Sequence, residues 1–249
     1  RSNKTEDKLR FICVLTAVLM LCSCGIRDDE GAEKLFASAN AKMQAADIDA
    51  AIMDYSAAIS KNPGHAGAYY MRALARAQVS QFKGAIKDFE KVTRLTPRNA
   101  EAYNKMGNAR VRLGQYYRAI RDFTKAIEID PEYEEAYNNR GSAYGRINEN
   151  EKAIKDLDSA IKIAPDYTEA YYNRGILRGK QGDFKGAIDD MTKVAEAFPS
   201  MAEAYLLRAA AYESSGNTQA AVYDYKTAEA LGSKKAQGRA AGLLRRYNP

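Results

Sequence analysis

Five of the six prolines in this chain, Pro63, Pro97, Pro131, Pro165 and Pro199, stand 34 residues apart. Proline has no N–H to donate and its ring clashes one turn back, so it marks where a helix cannot continue. A boundary that recurs at constant spacing makes the chain an array of equal units. A unit of 34 residues is too short to bury its own apolar face, so neighbours must stack into one continuous core. Such arrays present long surfaces for binding and few of the convergent groups that catalysis needs.

With each proline as the thirty-second residue, the units are 32–65, 66–99, 100–133, 134–167, 168–201 and 202–235, the last with Ser233 in place of proline. Other positions repeat in this frame. The fourth residue is Leu35, Tyr69, Tyr103, Tyr137, Tyr171 and Tyr205, and the twenty-fourth is Tyr55, Phe89, Phe123, Leu157, Met191 and Tyr225. The eighth is Ala39, Ala73, Gly107, Gly141, Gly175 and Ala209; the twentieth is alanine throughout, from Ala51 to Ala221. Large residues opposed to small ones predict two antiparallel helices packed knob against notch. Gly114, Asn148, Gly182 and Gly216 sit mid-unit and predict a turn between helices of about 14 residues.

These rows resemble the tetratricopeptide repeat over about 204 of the 249 residues. AYNKMG (102–107), AYNNRG (136–141) and AYYNRG (170–175) are similar to its first helix, and AIKDF (85–89) and AIRDF (119–123) to its second. The chain has no tryptophan, and tyrosine takes its usual place. The resemblance implies an all-α fold, a right-handed solenoid of six helix hairpins whose concave groove holds peptides or partner proteins. After Lys235 the segment 236–247 can form one more helix that caps the last apolar face.

The amino terminus lies outside the repeat. Lys8 and Arg10 precede an apolar run from Phe11 to Leu21, followed by Cys22, Ser23, Cys24 and Gly25. A basic segment, a short apolar segment and small residues read as an export signal, too short to span a bilayer comfortably. Leu21-Cys22-Ser23-Cys24 resembles a bacterial lipobox, which implies acylation of Cys24 and a lipid anchor in a membrane of the bacterial cell envelope. An ordinary secretory signal and a retained short anchor are the alternatives. All three cysteines, at 13, 22 and 24, lie in this segment, so the repeats hold no disulfide. The chain thus divides into a signal peptide (1–23), a short acidic linker (24–31), six repeats (32–235) and a capping helix with its tail (236–249). Asp28, Asp29 and Glu30 in the linker suit either a helix start or a sorting signal.

The net charge is +6, of which the first 23 residues carry two, and five bases with no acid lie between Gly232 and Pro249. This basic end reads as a solvated helix terminus, with contact to anionic headgroups or another polyanion as the alternative, and nothing has the aromatic-plus-arginine pattern of a nucleic-acid module. One histidine, His65, excludes the usual His-based triads and zinc sites, so no catalytic residue, metal or cofactor is expected. Asp54, Asp88, Asp122, Asp156, Asp190 and Asp224 hold the twenty-third position, and Arg72, Arg140, Arg174 and Arg208 the seventh. They predict a partly buried ion pair within or between units that fixes register. Glu101, Glu135, Glu169 and Glu203 complement helix amino termini.

The resemblance places the second, fifth, sixth, ninth, twelfth and thirteenth positions on the groove. The candidate binding residues are Asn104, Asn108, Arg112, Asn138, Asn139, Ser142, Arg146, Tyr172, Asn173, Ile176 and Lys180. Asparagine both donates and accepts, so a row of them can read a peptide backbone whatever its side chains, although ordinary groove polarity explains a row of two equally well. Phe36, Met43, Tyr70 and Leu74 make the amino-terminal end more apolar. The five places where chaperone-binding relatives clamp a carboxylate hold Asn104, Asn108, Asn139, Glu169 and Asn173. Glu169 would repel that ligand. The expected protein is a membrane-anchored, non-enzymatic adaptor, with a soluble scaffold or a regulatory subunit as the alternative.

Overall fold

The computed structural model describes residues 28–247. The leader, the lipobox, Cys24 and residues 25–27 of the linker lie outside the described residues. The chain divides between Thr96 and Pro97 into two compact units. The first contains helices α1 (Asp29–Gln44), α2 (Ile48–Lys61), α3 (Ala66–Gln78) and α4 (Phe82–Leu95). The second contains α5 (Ala100–Arg112), α6 (Tyr116–Ile129), α7 (Glu134–Arg146), α8 (Asn150–Ile163), α9 (Thr168–Lys180), α10 (Phe184–Ala197), α11 (Ala202–Ser214), α12 (Thr218–Ala230) and α13 (Arg239–Tyr247). No strand occurs among the described residues. Each repeat is a helix hairpin, and within each unit the second helix of one hairpin packs on the first helix of the next. The architecture is an all-α solenoid.

The prolines do what their spacing predicts. Asn62, Thr96, Asp130, Ala164 and Phe198 precede them and end the second helices with φ between −128° and −131°. A residue before proline is pushed into extended backbone, so the helix stops there. The sixth hairpin lacks proline and turns instead at Gly232, φ +88°. The mid-unit turn is left-handed in all six repeats: Ala46, Ser80 and Asn148 adopt it as well as Gly114, Gly182 and Gly216. The fold imposes this conformation even where the side chain resists it.

The knob-and-notch expectation is met by three of its four rows. All six residues at the twenty-fourth position are at most 1% exposed. Opposite them a Cβ added at Gly107 would fall 2.5 Å from a Phe123 ring carbon, and one at Gly175 2.5 Å from Met191 Cε. The fourth-position tyrosines depart from the expectation. They are only half-buried, because their rings lie under the seventh-position arginines, 5.4–5.7 Å from guanidinium carbon to centroid for Tyr69, Tyr137, Tyr171 and Tyr205.

The arginine and aspartate rows meet within each repeat. Arg72 Nε and Nη2 donate to both oxygens of Asp88 at 2.9 and 2.6 Å, and Arg140, Arg174 and Arg208 grip Asp156, Asp190 and Asp224 in the same bidentate way. The remaining Nη1 reaches the preceding repeat, at Ser56, Thr124, Asp158 and Thr192. The pair is thus internal to a repeat, while its third arm sets register with the neighbour. Two repeats lack the seventh-position arginine. There the eleventh position substitutes: Lys42 holds Asp54 together with Ser38, and Arg110 holds Asp122.

Two boundaries differ from the sequence reading. Helix α1 begins at Asp29 rather than after Gly31, because Asp28 Oδ1 accepts the Gly31 N–H at 2.9 Å and caps it. Lys61 hydrogen-bonds Asp28 and holds its carboxyl below the usual range, while Asn62 donates to Asp29. Helix α13 begins at Arg239 rather than at residue 236, because Gly238 has φ +72°. Leu243, 1% exposed, anchors it against the last hairpin, and Arg246 pairs with Glu213.

Candidate binding groove

The candidate residues fall on the first helices of three hairpins, α5, α7 and α9, and the structure divides them into two sets. Asn104 and Asn138 are 0% and 3% exposed. They were expected on the open face and lie inside it, since a tyrosine at the entry of the next hairpin closes over each. Asn104 Nδ2 donates to Tyr133 Oη at 3.0 Å, and Asn138 Nδ2 to Tyr167 Oη at 3.4 Å. The sixth-position asparagines lie one layer out. Asn139 donates to Asn104 Oδ1 at 3.0 Å, and Asn173 to Asn138 Oδ1 at 2.9 Å. The phenols in turn donate to Glu135 at 3.4 Å and Glu169 at 2.9 Å. Two equivalent relays result, each running from a half-buried asparagine through a buried one and a tyrosine to a glutamate.

The relays shift the phenols. Burial, reinforced by the Glu135 charge, pushes Tyr133 up to about 12. Burial and the bond to Glu169 drive Tyr167 upward as well. Tyr172 is raised chiefly by burial. All three therefore remain neutral donors at physiological pH.

Between α7, α9 and the end of α10 the groove deepens into a cavity of about 660 Å³. Asn139, Ser142, Tyr172 and Asn173, all sequence candidates, line it, and Asn138 forms part of its wall. Glu169, second in its unit, also lines it, whereas sequence reasoning missed Val194, Phe198 and Met201. Phe198 is 53% exposed at a position that elsewhere holds Asn62, Thr96, Asp130 and Ala164. A large apolar residue there breaks the period, and that break was the available signal. A second cavity of about 220 Å³ continues the groove and brings together Arg146, Ile176 and Lys180. Asn108 and Arg112 line neither cavity. Of the amino-terminal apolar residues, Phe36 packs on Tyr55 and His65, and Tyr70 on Phe89.

The single histidine is structural: His65 Nδ1 accepts the Ala68 N–H at 3.2 Å and caps α3. Among the described residues no three His, Cys, Asp or Glu side chains converge to hold a metal ion, and no helix is long and apolar enough to cross a membrane.

Two family models match the chain. One, the TPR repeat, covers residues 77–114, 107–148 and 146–182; the other, the tetratricopeptide repeat, covers 172–246. Among solved structures, MamA is 32% identical with a TM-score of 0.61, over 66% of this chain and 96% of its own. YrrB, described as a TPR protein with an unusual peptide-binding site, is 22% identical with a TM-score of 0.63, over 77% and 97%. PilF of Pseudomonas aeruginosa is 17% identical with a TM-score of 0.72, over 86% and 98%; at these identities the last two share the fold. No curated protein matches the sequence.

Proposed function

Because the chain belongs to the tetratricopeptide repeat family, we propose that it is a non-enzymatic adaptor that holds a peptide or a segment of a partner protein in the cavity between α7, α9 and α10. The observation that carries this reading is the make-up of that cavity. Asn139 and Asn173 offer amides to an extended backbone, while Val194, Phe198 and Met201 offer an apolar floor for a side chain. The volume of about 660 Å³ is in the range that accommodates a few residues of chain. YrrB, of similar fold, is described as having a peptide-binding site.

The adaptor acts at a membrane of the bacterial cell envelope, held by acyl groups on Cys24. This part rests on the sequence Leu21-Cys22-Ser23-Cys24 and the basic, apolar segment before it. More than one acyl chain on a cysteine so close to α1 would hold the first repeat near the bilayer.

A photoreactive residue introduced at Ser142 tests the groove. We expect it to crosslink one defined partner in cells, and the crosslink to be lost in Asn139→Ala/Asn173→Ala. A crosslink that survives the double substitution would sink the assignment. Cys24→Ser tests the anchor separately, and an unchanged membrane fraction would refute it.

A further inference from the structure

A carboxylate only accepts hydrogen bonds, so a chain of bonds that ends on one has a fixed direction. The second relay ends on Glu169, to which Tyr167 donates at 2.9 Å. The phenol oxygen then accepts from Asn138 Nδ2, which orients the Asn138 amide and turns its Oδ1 toward Asn173. Asn173 answers with an N–H. One of its two donors is therefore drawn inward, and its carbonyl oxygen is left for the cavity. The first relay does the same to Asn139, through Asn104, Tyr133 and Glu135. Both outer asparagines line the cavity, so the buried network has turned their acceptor ends toward a ligand.

Charge acts in the same sense. Glu135 is matched by Lys105 at 3.2 Å, whereas Glu169, in the cavity wall, is met by a neutral phenol. Arg146 and Lys180 line the second cavity, which shares Ser142 and Asn173 with the first, and neither lines the wall that holds Glu169. Lys180 lies eleven residues along α9 from Glu169, about 16 Å of helix and beyond the screening length at physiological salt. Phe198, Met201 and Tyr172 line the same cavity.

Building on the peptide-binding reading above, we propose that the cavity selects a segment in which a lysine or arginine stands beside a large apolar residue. The cation is received by Glu169 and the Oδ1 atoms of Asn139 and Asn173, and the apolar side chain packs on Phe198 and Met201. An acidic residue in the cation's place is rejected.

The test is an NMR titration of the full chain, following the side-chain amides of Asn139 and Asn173 and the backbone amide of Phe198. The probes are the blocked hexapeptides GSFKSG and GSFESG. We expect GSFKSG to shift all three signals and GSFESG to bind at least tenfold more weakly, the scale of one charge-assisted contact. Glu169→Gln keeps an acceptor for Tyr167 and should bring the two peptides within about threefold of each other. Equal binding of both to the wild type, or discrimination that survives Glu169→Gln, would overturn the selectivity while leaving peptide binding intact. If GSFKSG moves none of the three signals the selectivity also falls, and the independent Ser142 crosslink decides whether the groove reading falls with it.

Discussion

The arginine–aspartate brackets and the asparagine–tyrosine relays are both buried polar networks built on the first helices of the hairpins. They differ in what they leave over. In a bracket the guanidinium fork meets both carboxylate oxygens and its third arm is taken by the neighbouring repeat, as with Arg140, Asp156 and Thr124. Nothing remains to offer a ligand, and an aspartate is held this way in four repeats. Among the described residues a relay occurs at two junctions and ends on Asn139 and Asn173, whose amides are half used. A saturated network gives stability and register. One with spare valence at the surface can recognise something else.

The comparison breaks most visibly at Asp190. This carboxylate is 2% exposed and serves both Arg174 and Arg178. Asp190→Ala would leave two cations without their main counter-ion, and breaking a buried pair costs about 3–5 kcal/mol. Arg174 keeps Asp158, so the lower end is expected. Urea unfolding followed by circular dichroism measures it, and a loss below about 1 kcal/mol would show the bracket to be ordinary surface pairing. Peptide affinity of the molecules that remain folded should not change.

Tyr167→Phe should do the reverse. It removes one hydroxyl that accepts from Asn138 and donates to Glu169, a loss of about 1–2 kcal/mol by the same unfolding measurement. Its larger signature is in binding. With Asn138 no longer oriented, Asn173 is free to turn its amide, and discrimination between the lysine and glutamate peptides should shrink several-fold. A variant that keeps full discrimination would separate the relay from recognition.

Much of this contrast was legible in the sequence and part was not. The bracket repeats, so Asp54 to Asp224 and four arginines could be paired by spacing alone. Its substitutes Lys42 and Arg110 stand four residues on, one helical turn, and were hidden because the missing arginines were not matched to a neighbour. The burial of Asn104 and Asn138 was illegible for a different reason. The resemblance puts the fifth position on the groove, and Tyr133 or Tyr167, entering with the next hairpin, covers the side chain there. The resemblance gave the face of a helix but not what the following hairpin lays over it.

The two networks should also fail at opposite ends of the pH scale. Hydrogen bonds from Lys42 and Ser38 hold the Asp54 carboxyl below its ordinary value. That stability is present above the unfolded carboxylate range, near pH 4, and is lost as pH falls through the lowered folded value. Tyr133, pushed up to about 12, favours the neutral phenol in the fold. Its contribution is complete below about pH 10 and is lost as pH rises from there toward 12. Thermal unfolding across pH should show Asp54→Asn flattening the acid limb alone and Tyr133→Phe the alkaline limb alone. Identical profiles for the two variants would mean that neither network carries the titration assigned to it.

The smallest effect on stability is expected where the effect on binding is large. Phe198 ends α10 with φ −128°, an extended backbone that any residue before proline adopts, and its N–H bonds Val194 as an alanine's would. The same place elsewhere holds Asn62, Thr96, Asp130 and Ala164, so the hairpin requires nothing large there. Phe198 is already 53% exposed. Phe198→Ala should accordingly move the unfolding midpoint by no more than about 0.5 kcal/mol. An apolar side chain packed on that ring in the bound state would lose its contact, and affinity for GSFKSG should fall by about tenfold, the scale of one truncated hot-spot aromatic. If the substitution destabilises the fold as much as a buried aromatic would, Phe198 belongs to the core. If affinity is untouched, the apolar wall of the cavity plays no part in recognition, and the relays would have to act through backbone contacts alone.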